Sequence, residues 1–254
     1  MAAMSDVRLV VQGDDLGMCR AVNAGIALAA TDGILTQTSA MAATPWFGEG
    51  ARLARECGLG TGLHATFTCE WDFLRWAPLT AARSLRGVDG TFHRTVEAAA
   101  AAADEAEAIA EVLAQAERAI AAGLTLSYVD PHMGLSVRAG YEAACERLQV
   151  KFIYPGVKPH HRWDSFIVLS TAEAIDDRGA WLADALDRLS PGTHFVLSHP
   201  GVAGEELRAL TSPDSPDIDW TERFRAADLA ALCDPAVRAV VERRGIELVA
   251  VRDL

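Results

Sequence analysis

Val7-Arg8-Leu9-Val10-Val11-Gln12-Gly13-Asp14-Asp15-Leu16-Gly17 is the stretch on which the reading of this chain turns. Its apolar run, residues 7–11, predicts a buried strand. Asp14 and Asp15 follow at the carboxyl end, where α/β folds place their chemistry. Two adjacent acids repel, so both ionise only beside a cation or by sharing a proton. Alternation along an extended chain points the two side chains different ways. That predicts separate jobs, one acid on a metal and the other acting as a base. The competing reading is helix capping, since Asp favours the N-cap and helical sequence follows.

Working outward, strand-like and helix-like segments alternate to the end of the chain. Residues 21–30 are helical and stop at Asp32-Gly33, residues 37–43 are strand-like, and residues 49–56 are helical and end at Gly58. Residues 61–68 read as a third strand, with further strands at 152–154, 166–169, 195–198 and 246–251. Such alternation means βα units and a parallel sheet. About eight strands in 254 residues predict an irregular (β/α) barrel, TIM-barrel-like, with an open doubly wound sheet as the alternative. No repeat or interdomain linker interrupts residues 1–254, so a single domain is expected.

Two stretches depart from the rhythm. Residues 96–122 are rich in Ala and Glu, yet Ile109, Val112, Leu113, Ala116 and Ile120 recur at helical spacing, predicting one long amphipathic helix. Residues 70–95 carry Trp71, Phe73, Trp76, Pro78, Gly87 and Gly90, an aromatic-rich excursion with the length of a functional lid. Residues 201–219, with two prolines and several acids, form a second irregular segment.

Half of the residues are hydrophobic and 23% are charged, ample for a core of barrel size. The net charge of -12 disfavours nucleic acid and other polyanions, which need basic patches. There is no apolar run of membrane-spanning length, and the first residues lack the pattern of a signal peptide, so a cytoplasmic location is expected. Five scattered cysteines without a C-x-x-C predict reduced thiols; Cys19 and Cys69, near the candidate site, are expected to be packing residues.

Three histidines join the acid pair at predicted strand ends. His64 lies in Gly62-Leu63-His64-Ala65-Thr66, His132 in Val129-Asp130-Pro131-His132, and His199 in Ser198-His199-Pro200-Gly201. A carboxylate plus two imidazoles makes a three-ligand site with open positions, as catalytic metals require. Taken singly, each has a plainer reading: a hydrogen-bonding histidine, or a turn at Asp130-Pro131 and Pro200-Gly201. His93, His160, His161 and His194 are weaker candidates.

The set as a whole resembles a known family. Asp14-Asp15-Leu16-Gly17 with Val22-Asn23-Ala24-Gly25-Ile26 is similar to the D-D-F-G…V-N-x-G-I signature of the YdjC-like (ChbG/HpnK) carbohydrate deacetylases. Gly33-Ile34-Leu35-Thr36-Gln37-Thr38-Ser39-Ala40-Met41, Gly62-Leu63-His64-Ala65-Thr66-Phe67-Thr68, Asp130-Pro131-His132 and His199-Pro200-Gly201 resemble its later motifs, in order. The resemblance implies an irregular (β/α) barrel, often a homodimer, that hydrolyses the N-acetyl group of an amino sugar. It implies metal ligands at Asp15, His64 and His132, a base at Asp14, and a late catalytic histidine at His199. Leu16 stands where Phe is usual, and Gly134 where many members carry a second histidine. The segment from Glu70 to Trp76 belongs to only some members; there Trp71 and Trp76 could stack on the sugar and Arg75 bind its hydroxyls or phosphate, with simple packing of the loop as an equal reading of the aromatics.

The donor set favours zinc as the one divalent metal ion, while the resemblance also admits magnesium. The expected substrate is a small N-acetylated sugar or short oligosaccharide. Two other readings use the same residues: a barrel hydrolase acting on a different amide, lactam or ester, and a non-enzymatic metal- or sugar-binding protein. The ionisable Asp14 beside the ligands counts against the second.

Overall fold

Alternation in β1 (Val7–Leu16) sorts its side chains onto two faces. Leu9 and Val11 pack with the larger cluster under the helices. Val10 joins Tyr128, Ile153, Phe195, Val249 and Val251 in a second cluster on the concave face. Burying each of these large side chains stabilises the fold by about 1.5–3 kcal/mol. Gln12 and Asp14 continue the inner file toward the carboxyl end of the strand.

The computed structural model describes residues 6–154, 163–169, 175–210 and 222–254. After β1 come α1 (Arg20–Thr31), β2 (Gln37–Ala40), α2 (Phe47–Glu56), β3 (Gly60–Ala65), α3 (Val96–Ala102), α4 (Glu105–Ala121) and β4 (Leu126–Pro131). They are followed by α5 (Arg138–Leu148), β5 (Lys151–Phe152), β6 (Ser165–Val168), α6 (Arg178–Asp187), β7 (Gly192–Ser198), α7 (Glu205–Arg208), α8 (Glu222–Leu232), α9 (Pro235–Arg244) and β8 (Glu247–Leu248). The strands form one sheet in the order β5-β4-β3-β2-β1-β7-β6, with β8 paired to β1. All the pairings are parallel. The result is a parallel half-barrel with flanking helices, the irregular (β/α) architecture expected from the sequence. Among the described residues β5 and β6 stand at the two edges and do not pair with each other.

The expected long helix over residues 96–122 is two helices. Ala103 is extended (φ -62°, ψ 127°), and the Asp104 side chain accepts from the backbone N–H of Glu107 to start α4. A capping carboxylate offers the backbone an alternative to continuing the helix, which propensity and periodicity do not register. The third strand also ends at Ala65, short of the expected residue 68.

The excursion that follows β3 is built in place. Buried Glu111 of α4 accepts from the backbone N–H groups of Leu79 and Thr80 and from the Thr80 hydroxyl at 2.7–3.0 Å. Gln115 bonds both the N–H and the carbonyl of Thr66. The guanidinium of Arg75 donates to the backbone carbonyls of Cys69, Trp71 and Phe92. These contacts make it a fixed wall, where the sequence suggested a lid.

Candidate active site

The inner file brings its polar residues together at the carboxyl end of the sheet. Asp14 and Asp15 end β1, His64 lies in β3, Asp130 in β4, His132 just beyond it, and His199 follows β7. His64, His132 and both aspartates are all at most 5% exposed.

Simple alternation fails at Asp15. Its φ of 70° is left-handed, and the β1–β2 register shifts between Gly13 and Leu16. A non-glycine residue in that region is strained and persists only where its surroundings hold it. Here the kink turns both carboxylates toward His64: its Nε2 lies 3.4 Å from Asp15 Oδ1 and 3.9 Å from Asp14 Oδ2. The two acids therefore face one centre rather than opposite faces of the strand.

The surrounding motif residues hold that turn. Asn23 Oδ1 accepts from Gly17 N–H at 2.7 Å, while its amide donates to the Trp46 carbonyl and to Glu49. A Cβ on Gly25 would come within 2.5 Å of Gly201 Cα, so only glycine lets α1 approach the turn carrying His199. The backbone N–H of His199 donates to Asp228 at 2.7 Å, and Asp228 pairs with Arg178.

Among the described residues two groups can hold a metal ion: Asp15, His64 and His132, and Asp14, His64 and Asp130. The first fits. Asp15 Oδ1 lies 3.4 Å from both His64 Nε2 and His132 Nδ1. Each of these ligands is backed by a charged partner on its far side. His64 Nδ1 donates to Asp130 at 2.9 Å, His132 Nε2 donates to Glu70 at 3.0 Å, and Arg225 donates to Asp15 Oδ2 at 2.8 Å. Carboxylates behind histidines fix the tautomer that leaves the other nitrogen free for a metal. In the second group both carboxylates are already engaged by an amide, Gln12 Nε2 donating to Asp14 Oδ1 at 2.7 Å and to Asp130 Oδ2 at 2.5 Å, and His64 Nδ1 is committed to Asp130.

Charges follow this arrangement. Burial alone would raise Asp15, but Arg225 and hydrogen bonds from both histidines hold it well below the usual carboxylate range. Burial would lower both ligand imidazoles; Asp130 and Asp14 hold His64 well above its ordinary value, and Glu70 and Asp15 bring His132 up to about 9. Asp14 is pushed up to about 7, mainly by burial and against the pull of His64. His199 goes the other way, to about 3, through burial and despite Asp15, with Arg225 adding to the fall. A cluster that traps protons on metal-binding nitrogens is suited to exchange them for a cation.

The structure thus brings together Asp14, Asp15, His64, His132 and His199; His199 Nε2 stands 3.9 Å from Asp14 Oδ2. Trp71, Arg75 and Trp76 depart from the sugar-covering place expected of them. Trp71 and Trp76 are 1% and 3% exposed; Trp76 donates to the Thr68 carbonyl and sets its ring edge-on to His132. Arg75 is committed to the excursion's own backbone. The excursion needs these groups as its core because it has no strand or helix of its own. Cys19 and Cys69 are fully buried, and burial pushes both thiols up to about 12. His93 and His194 hydrogen-bond backbone carbonyls away from this cluster. His160 and His161 lie outside the described residues, as do residues 211–219 of the second irregular segment.

Sequence reasoning missed Gln12, Glu70 and Arg225, and it left Asp130 without a role. Period two in β1 would have put Gln12 beside Asp14. Nothing local marks Glu70, in an irregular segment, or Arg225, 207 positions from the Met18 it also touches.

A buried Asp-His-His set at the carboxyl end of a parallel sheet, with a second carboxylate, Asp14, beside it, places the chain among α/β half-barrel proteins with a candidate metal centre. It belongs to the YdjC-like family, whose model matches residues 8–243. It is 29% identical to a carbohydrate deacetylase of Geobacillus stearothermophilus, the match covering 96% of each chain. It is 24% identical to carbohydrate deacetylase 1 of Listeria innocua, covering 98% of this chain and all of that one. The fold matches the crystal structure of an Enterococcus faecalis V583 protein provisionally titled a cellobiose-phosphate cleavage protein, with a TM-score of 0.80 at 20% identity, covering 98% and 99% of the two chains. Among the described residues no helix is long and apolar enough to cross a membrane.

Proposed function

We propose that this protein is a metal-dependent carbohydrate deacetylase that removes the N-acetyl group from an amino sugar or short N-acetylated oligosaccharide. The observation that carries the reading is Asp14: an ionisable carboxylate beside the Asp15-His64-His132 set, held by Gln12 and left out of the fitting ligand group. A binding protein needs no such group. The deacetylase names of the full-length relatives support the choice of substrate.

When bound by Asp15, His64 and His132, a divalent cation supplies Lewis acidity that polarises the acetyl carbonyl and acidifies the attacking water. Zinc suits a donor set of two imidazoles and one carboxylate. Asp14 takes the proton of that water, and a value near 7 suits a base working at neutral pH. His199 gives a proton to the departing nitrogen. Burial holds its imidazole neutral at the start, so the proton must arrive within the cycle. Asp14, once protonated, stands 3.9 Å from His199 Nε2, and the negative charge gathering on the substrate raises the imidazole's proton affinity as the amine leaves. Arg225, Asp130 and Glu70 keep the ligands aimed throughout.

The test pairs elemental analysis of the purified protein with acetate release across N-acetylated mono- and disaccharides. Stoichiometric metal with acetate release from at least one sugar is the expected result. Release of ammonia or of a carboxylic acid other than acetate, with no acetate from any sugar, overturns the reading.

A further inference from the structure

Gln12 is a buried amide in an apolar strand, and the chemistry above gives it no catalytic step. Its orientation is dictated from the far end of the chain. The backbone N–H of Val251, in the turn Val251–Asp253, can only donate, and it meets Gln37 Oε1 at 2.8 Å. The other end of that amide, Gln37 Nε2, then faces Gln12 Oε1 at 2.6 Å. This leaves Gln12 Nε2 facing Asp14 Oδ1 and Asp130 Oδ2, one N–H for each. Every polar atom in the series meets its complement. Reversing either amide would set oxygen against oxygen, a costly arrangement in a buried network. Register supports the series, because Gln12 and Gln37 are direct partners across β1 and β2.

We propose that Gln12, oriented by Gln37, is a positioning residue that locks the base Asp14 to Asp130, the partner of His64, so that base and metal ligand keep one fixed spacing. The proposal rests on the deacetylase reading for the role of Asp14. Its amide satisfies two acids that would otherwise repel across His64, and it ties the C-terminal turn to the reacting centre through two side chains. A merely space-filling Gln37 would affect stability alone.

Q37E separates the two. It keeps the acceptor for Val251 but replaces the donor facing Gln12 with an acceptor. Gln12 must then turn its carbonyl toward Asp14 and Asp130, although the substituted residue is one step removed from both. The expected result is a kcat lower by about 10- to 100-fold, with KM and metal content unchanged. In a Q12L background, where the clamp is already gone, Q37E should lower kcat no further. A wild-type kcat in Q37E, or losses that multiply in the double variant, overturns the proposal. The thermal midpoints of Q12L, Q37L and Q12L/Q37L give a readout independent of turnover: a coupled pair loses less together than the two single losses added, and strict additivity overturns the relay. Should the wild type bind metal yet release no acetate, the deacetylase reading fails alone, and the midpoints still decide whether Gln12 and Gln37 act as one unit.

Discussion

Glu70 keeps a proton on a nitrogen that a metal would need. Burial alone would push His132 down, yet Glu70 and Asp15 bring it up to about 9 from an ordinary value of 6.5. Since the folded value is raised, the stability this proton contributes is fully present below pH 6.5 and lost as pH rises through about 9. Its size is about 3 kcal/mol in the metal-free protein. A divalent ion takes His132 Nδ1, the nitrogen facing Asp15, and must expel that proton to do so. At pH 7 this competition weakens apparent affinity by about 100-fold, and His64, also held high, adds to it. Zinc binding at pH 7 should therefore release about two protons, more where Asp14 gives up its own. In E70Q the Glu70 charge is gone while burial still lowers His132, so the count should fall by about one, and the rise of affinity with pH between 6.5 and 9 should become shallower by about one tenfold step per pH unit. Calorimetric titration of zinc into metal-free protein, in buffers of different ionisation enthalpy, counts the protons directly. Equal counts in wild type and E70Q would refute the pairing of Glu70 with a metal-ligating His132, and no release at all would refute the ligand assignment.

Three further outcomes follow from the same geometry. Replacing Asp15, His64 or His132 by Ala should empty the site on elemental analysis, whereas D14N and H199A should retain metal while kcat falls about 100- to 10,000-fold; full occupancy in H64A and H132A together would contradict the ligand set. The wild-type kcat/KM should decline as pH falls below about 7, as Asp14 takes up a proton, and D14N should lose that limb; a limb surviving in D14N assigns it to another group. R225M leaves the Asp15 carboxylate buried without its guanidinium and should lower the stability of the metal-free protein by about 3–5 kcal/mol in denaturant melts, with added zinc restoring part of it.

The architecture was legible because apolar runs such as residues 7–11 alternate with helical stretches along the chain, the signature of βα units and a parallel sheet. The strand ends also showed where Asp14, Asp15, His64, His132 and His199 would gather, but side-chain alternation within β1 was a poorer guide. It failed at Asp15, whose left-handed backbone breaks the alternation at the one place where two neighbouring acids must reach a single centre. Local propensity assigns no such conformation to Asp in a strand, and the strain is tolerable only because Asn23, Arg225 and both histidines hold the turn from elsewhere. The outer partners are illegible for a related reason. Glu70 sits in a segment whose path is set by buried Glu111 and Gln115 on a helix beyond it, so its meeting with His132 is a product of tertiary packing. The aromatic residues around it misled for the same cause: a loop without regular structure has to build a core from its own large side chains, and Trp71 and Trp76 serve that purpose before they can serve a ligand. A wall made in this way can hold Glu70 rigidly behind His132, which a mobile lid could not. The rigidity of the excursion is thus part of how the proposed metal site is aimed.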